Sequence, residues 1–387
     1  MYTFKPFVFC DEQVLGPIKP MPRSGHRVVC NETFLYSYGG YHPSVTADDP
    51  EMQTDPNWGT LFKAIWRFNF ASKIWKRLPS QKTMPNELAS NAVVLRGNSL
   101  IVHGGTGLPF GENCNNNVYI CNLNTGEMVR IPATGDFPDP QYGQATCCEG
   151  LYLYTVAGTT GLQYTCDIHR FNLKSQTWES VFICSGRDQT EPKGRYRHEI
   201  AMADGKIYVF GGGTANEAFG FEEVPAFDTV SNRWLTLPTR QDTERGFPAA
   251  RRCHGLVQYQ DSLTRSVQVV ISGGYDGFAY YDDMWKLDLR TLQWTYLQSL
   301  PHPMYFHSTA LTPRGQMYFF GGITKKGEEV TRTADVHSVW IVIPKLSEIC
   351  WEALNYYNPD LKKKSSIDLL SIGIPSNFVQ RFEHESI

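Results

Sequence analysis

The chain has 387 residues, 41% of them apolar and 19% charged, with a formal net charge of -3. That is an ordinary globular composition, long enough for a large core, and it excludes a strong field for nucleic acid or acidic lipid. No run of 18 apolar residues occurs, so no membrane span is expected.

At the N-terminus, "MYTFKPFVFCDEQVLG" is too short and too polar for a secretory signal. The ten cysteines are scattered without a CxxC pair, and Cys147 and Cys148 are adjacent. They read as buried thiols of a reducing compartment, not as a disulfide framework or a zinc site. A cytoplasmic and nuclear location is therefore expected.

Three elements then recur along the chain. The first is an Arg-x-x-His frame: "PRSGH" at Arg23 and His26, "GRYRH" at Arg195 and His198, and "ARRCH" at Arg251 and His254. Degenerate copies are "ELASN", "PQYGQ" and "PMYFH", the last ending at His307. The second is an apolar run ending in two glycines, at Gly39-Gly40, Gly104-Gly105, Gly211-Gly212, Gly273-Gly274 and Gly321-Gly322, with Ala157-Gly158 as a sixth. The third is a strand, turn and strand running into a large side chain at Trp75, Met128, Trp178, Trp234 and Trp294. Each repeat thus offers four antiparallel strands with two apolar faces. Six such units arranged radially bury both faces. The pattern predicts an all-β fold, a six-bladed β-propeller over residues 1–343 with a short helical tail over 344–387. The sixth copy lacks its outer strand after Trp340, and "YTFKPFVF", Tyr2 to Phe9, is the candidate to supply it.

These repeats resemble the kelch repeat, whose units form β-propellers. No P-loop, Rossmann, HExxH or GxSxG signature appears, so a non-catalytic protein without a cofactor is expected. The loop carrying Asp276, Asp282 and Asp283 has no EF-hand spacing and reads as a solvated loop. The histidines of the frame lie on different blades, too far apart to share a metal. They read as a repeated hydrogen bond at the start of each first strand.

The frame arginine precedes the innermost strand, near the mouth of the central channel. Arg195, Arg197, Arg251 and Arg252 make blades four and five a cationic sector, and an arginine fork matches a carboxylate. Tyr196, Tyr280, Tyr305 and His307 join them as candidate substrate contacts, with Phe278, Tyr281 and Phe306 nearby. The plain alternative is that some of these arginines pair inside the blades. Long excursions after the first two doublets, "YHPSVTADDPEMQTDPNWGTLFKAI" and "TGLPFGENCNNN", are expected to shape one rim.

The tail, "PKLSEICWEALNYYNPDL", places Leu346, Cys350 and Leu354 on one helical stripe ended by Asn358-Pro359. Ser365 or Ser366 is set to cap a second helix, "IDLLSI", ended by Gly373. A third turn opens at Pro375, with apolar Ile374, Phe378 and Phe382. Leu346, Cys350 and Leu354 resemble the elongin-binding box of cullin-2 ubiquitin-ligase substrate receptors. Ile374, Pro375 and Phe378 resemble their cullin box, with phenylalanine where leucine is common. The whole arrangement resembles kelch receptors that recognise C-terminal degrons ending in glycine. It implies elongin B–elongin C and cullin-2 as partners and substrate C-termini in the propeller, with the arginine sector as carboxylate clamp. The alternatives are a kelch scaffold for actin or a signalling enzyme, and an enzyme of the galactose-oxidase or epimerase sort, which needs a metal or cofactor site.

Overall fold

The computed structural model describes residues 1–44, 52–79, 83–188 and 190–382. Blade one comprises Arg27–Cys30, Phe34–Tyr38, Ile65–Asn69 and Trp75–Arg77, hydrogen-bonded in that order. Four further sheets follow the same up-and-down order, with innermost strands Ala92–Arg96, Ala145–Glu149, Glu199–Ala203 and Gly255–Gln260. Thr134–Gly135 adds a fifth, parallel strand outside blade three. Blade six contains Ser308–Leu311, Gln316–Phe320 and Val336–Trp340. Its outer strand comes from the N-terminus, but it is Cys10–Asp11 that pairs with Val336–Trp340, just beyond the expected Tyr2 to Phe9.

Local chemistry sets each turn. The Asn or Asp closing a third strand accepts backbone N–H groups two and three residues on, as Asn69 does from Ala71 and Ser72 at 2.7 and 2.9 Å. Asp228 and Asp288 repeat the bond in blades four and five. This is why Asn and Asp recur there. At the doublets the backbone is left-handed and crowded: a Cβ on Gly212 (φ +78°) would lie 2.6 Å from His198 Cβ. Only glycine fits.

The core is divided into six seams, one between each pair of neighbouring blades. The fourth-strand tryptophans reach back into the preceding blade. Trp75 meets Phe320 at 4.8 Å, Trp178 meets His103 at 4.9 Å, and Trp234 meets Phe182 at 6.4 Å. Each such buried side chain contributes roughly 1.5–3 kcal/mol by leaving water.

A seventh apolar cluster belongs to the tail. Helix α1 (Leu346–Tyr357), helix α2 (Ser366–Ser371) and helix α3 (Ser376–Val379) surround Leu361, Leu369, Ile374, Phe378 and Val379. Ser365 caps α2 by accepting from Asp368 N at 3.2 Å. Polar contacts fix the tail to the ring. Glu352 accepts from Trp340 Nε1 and Tyr2 Oη, both at 2.6 Å. Glu348 pairs with Arg314 of blade six at 3.6 Å, and within the tail Arg381 grips Glu348 bidentately at 2.8 and 2.7 Å.

The cysteines depart from expectation. Cys166 and Cys184 are bonded as a disulfide with Cα atoms 5.8 Å apart. Ile168 pairs with Phe182 across the blade-three hairpin, so two residues further Cys166 and Cys184 stand opposite each other. A spacing of 18 residues conceals that register. Cys10, Cys148 and Cys350 are exposed, not buried.

Candidate functional site

The six frames build the mouth of the channel. In each, the residue just before the frame's last position is left-handed: Gly25, Ser90, Gly143, Arg197, Cys253 and Phe306, with φ from 53° to 67°. Their backbones form a chain of hydrogen bonds from blade to blade. Ser90 N donates to Gly25 O at 2.8 Å, Gly143 to Ser90 at 3.0 Å, and Arg197 to Gly143 at 2.8 Å. Cys253 donates to Arg197 at 3.0 Å and Phe306 to Cys253 at 2.9 Å. Left-handed arginine, cysteine and phenylalanine are strained conformers that such a ring can hold.

Beside this ring lies a cavity of about 190 Å³. Ser24, Ser90, Arg197 and Arg332 supply its polar groups, and Tyr41, Phe110, Tyr142, Tyr196 and Phe306 its aromatic walls. Among the described residues, no carboxylate lines it. Arg197 donates to Ser90 Oγ and lies over the Phe306 ring at 4.5 Å. Its buried Nε has no acceptor among the described residues. Burial is the main cause that lowers its pKa, and it does the same to Arg332. Arg332 Nε donates to Ser24 Oγ at 2.9 Å, and its guanidinium lies over Tyr41 at 5.2 Å. Two guanidiniums with serines and aromatic walls, and no counter-charge among the described residues, offer donors of the kind that match a carboxylate.

Three of the expected contacts are corrected by their surroundings. Arg195 and Arg251 sit inside their blades and not in the channel. Arg195 Nη1 donates to Gly211 O at 3.0 Å, Nε donates to Lys193 O at 3.1 Å, and the guanidinium lies over Phe219 at 4.5 Å. Arg251 Nη1 donates to Gly273 O at 3.0 Å, and its fork holds Asp283. Arg23 does the same work for Gly39 O at 2.9 Å. The frame arginine thus holds the first carbonyl of the glycine doublet. His307 is buried between blades, where its Nε2 meets Ser272 Oγ at 3.2 Å and burial pushes its pKa down to about 3. His26 reaches Phe320 O of the preceding blade at 3.0 Å, so this frame position fastens one blade to the next.

Other expected residues divide between the pocket and its rim. Arg197 and Tyr196 line the pocket. Arg252 donates to Thr214 O and lies 5.8 Å over Tyr275, outside the lining. Tyr280 and Tyr305 join Tyr275 in a cluster with ring centroids 5.1–5.2 Å apart, next to Phe306. Asp276 is a turn former, accepting from Phe278 N and Ala279 N at 2.7 Å, and Asp283 is spent on Arg251. Among the described residues, the one metal-ligand grouping is Cys166, Cys184 and Glu191. Its sulfurs are bonded to each other, and Glu191 accepts from Ser185 and Gly186 N–H.

Sequence reasoning missed Arg332, Ser24, Ser90, Tyr41, Phe110 and Tyr142. Ser24, Ser90 and Tyr142 carried a signal, since they occupy the two middle positions of the frame. Tyr41 and Phe110 lie on the two long excursions, of which residues 45–51 are outside the described residues. Arg332 sits on a hairpin, Ile323–Lys326 with Glu329–Arg332, inserted in blade six outside the three recurring elements.

In the tail, the stripe divides. Leu346 is 74% exposed and Cys350 is exposed, while Leu354 is half-buried against the tail core. Of the expected cullin-box residues, Ile374 and Phe378 are both 8% exposed and held in that core, and Pro375 alone of the three is exposed. Phe378 packs on Trp351 at 4.9 Å.

Comparison with known proteins decides the family. Residues 10–212 match the KLHDC2/KLHL20/DRC7 Kelch-repeats domain, and residues 153–339 match the Attractin/LZTR1 beta-propeller. The Xenopus tropicalis Kelch domain-containing protein 10 is 40% identical, over 95% of this chain and 87% of its own. The chain belongs to the kelch domain-containing protein 10 family. The human kelch domain-containing protein 10 is 38% identical, over 98% of this chain and 84% of its own. The Drosophila melanogaster homolog is also 38% identical, over 98% of this chain, which spans 66% of that relative's length. The six-bladed architecture is thus that of a kelch domain-containing protein 10 relative, with the mouth pocket at its channel.

Proposed function

We propose that this chain is the substrate-recognition subunit of an E3 ubiquitin ligase assembled on elongin B–elongin C and cullin-2. It is a non-catalytic receptor, acting in the cytoplasm and nucleus. Its mouth pocket receives the C-terminal carboxylate of target proteins ending in glycine. The carboxylate lies between Arg197 and Arg332, whose side chains both line the pocket. A cavity of about 190 Å³ walled by aromatic rings suits a terminal residue without a side chain.

The observation that carries the ligase half is the state of helix α1. Glu348, paired with Arg314, and Glu352, accepting from Trp340, pin it to the ring, yet Leu346 and Cys350 are left uncovered. Exposed apolar surface on an anchored helix marks a protein contact. Elongin B–C is the partner that surface is proposed to take. Pro375 is the proposed cullin-2 contact, with Ile374 and Phe378 shaping its turn from below. A stripe fully covered by the blades would have favoured the scaffold alternative, and Leu346 is 74% exposed.

Retention of elongin B–C by the full chain, and its loss in Leu346→Asp and Cys350→Phe, tests the tail. Unchanged retention in either variant sinks the ligase reading. Peptides ending in glycine, free or amidated, test the pocket. Equal binding of both forms refutes the carboxylate site.

A further inference from the structure

One charged pair in the channel has no part in the reading above. The first residues of the six innermost strands are Arg27, Ala92, Ala145, Glu199, Gly255 and Ser308, and all line the channel cavity. Four are small. The two large ones carry opposite charges and stand on blades one and four, which face each other across a six-membered ring. They meet as an ion pair over the channel, with side chains 19% and 17% exposed.

The position of Glu199 makes this pairing consequential. It follows Arg197 by two residues in the same blade, and among the described residues it is the one carboxylate lining the channel cavity. Partly buried charges attract strongly. An unengaged Glu199 would set its negative charge against the Arg197 guanidinium and weaken the field that an anion needs. Arg27 instead holds that carboxylate from the opposite wall. Resting on the carboxylate reading of the mouth pocket, we propose that Arg27 is a positioning residue. By engaging Glu199 it keeps the Arg197 guanidinium open to an incoming C-terminus. The pair therefore does more than close the channel, and a merely structural strut predicts different behaviour.

Three variants separate the two roles, read by affinity for a glycine-ending peptide with a free carboxylate. Arg27→Ala lowers affinity about tenfold, because Glu199 now competes with the peptide. Arg27→Ala/Glu199→Gln restores it, and Glu199→Gln alone leaves it within about twofold. A double variant as weak as Arg27→Ala overturns the proposal, since a lost strut is not rescued by removing its second half. Thermal unfolding provides a ligand-free arm. The Glu199→Gln and Arg197→Gln shifts add when Arg27 is present, and become non-additive by about 2 °C in the Arg27→Ala background. Additivity in both backgrounds overturns it. If the unmodified chain does not distinguish free from amidated peptide, the carboxylate reading fails, and the unfolding arm alone decides which group Glu199 prefers.

Discussion

Arg195 and Arg197 are two residues apart in one blade, and they serve opposite ends. The guanidinium of Arg195 lies in the blade interior, bonded to two carbonyls and stacked on a ring. Arg197 reaches the channel mouth with a donor unspent. The same contrast separates Arg251, locked to Asp283 and Gly273, from Arg332, which faces no acid in the pocket. A buried guanidinium whose donors are matched is a rivet. One with an unmatched donor carries an unmet cost, which is why the proposed site is placed there.

That contrast can be broken most sharply at Arg251. Arg251→Met should destabilise the propeller by roughly 3–5 kcal/mol, since it strands the Asp283 carboxylate and two carbonyls. Arg197→Gln should cost only about 1 kcal/mol in the same unfolding measurement. The ligand reverses the order. Arg197→Gln and Arg332→Gln should each weaken free-carboxylate peptide binding by roughly ten- to a hundredfold, from charge-assisted bonds worth about 1.5–3 kcal/mol. If the two arginine classes behave alike in either assay, the distinction fails.

Acid titration sharpens the blade-interior side. Burial holds His198 and His307 at pKa values of about 3, and drives His26 and His254 well below their usual range. These are bases with depressed folded-state pKa values. Above the unfolded pKa of about 6.5 both states are neutral and stability is complete. As pH falls through 6.5 toward 3 the unfolded chain takes up protons that the folded one refuses. Each such histidine then removes up to about 1.4 kcal/mol per pH unit. The unfolding midpoint should fall steadily from pH 7 to pH 4.5, and His307→Gln should flatten part of that slope. A flat profile would contradict the buried neutral frame. The smallest stability effect belongs to the tail: Leu346→Asp should change unfolding by less than about 0.5 kcal/mol, while abolishing elongin B–C retention.

The repeat was legible because it obeys local rules. Doublet glycines, turn Asn and Asp residues and the spaced tryptophans each follow from backbone or hairpin geometry within one blade. Even the ring closure by an N-terminal strand could be anticipated from a missing fourth strand in blade six, though its register lay further along, at Cys10–Asp11. The tail helices were readable from Pro344, Ser365 and Gly373 for the same reason. The site was harder. The arginines of the frame looked like its clamp, yet Arg195 and Arg251 turn inward because a carbonyl of the doublet waits within reach in their own blade. Arg332 looked like nothing, since it lies on an inserted hairpin of blade six, outside the three recurring elements.

By itself, then, the order of residues determined the blade, its number of copies and the helical tail, all set by contacts between near neighbours in the chain. Tertiary structure alone decided which arginines are spent and which are free. It also placed Arg332 of blade six beside Arg197 of blade four, and Arg27 opposite Glu199, across the ring. Those meetings join residues more than a hundred positions apart, and only closure of the six blades into a circle sets their distance.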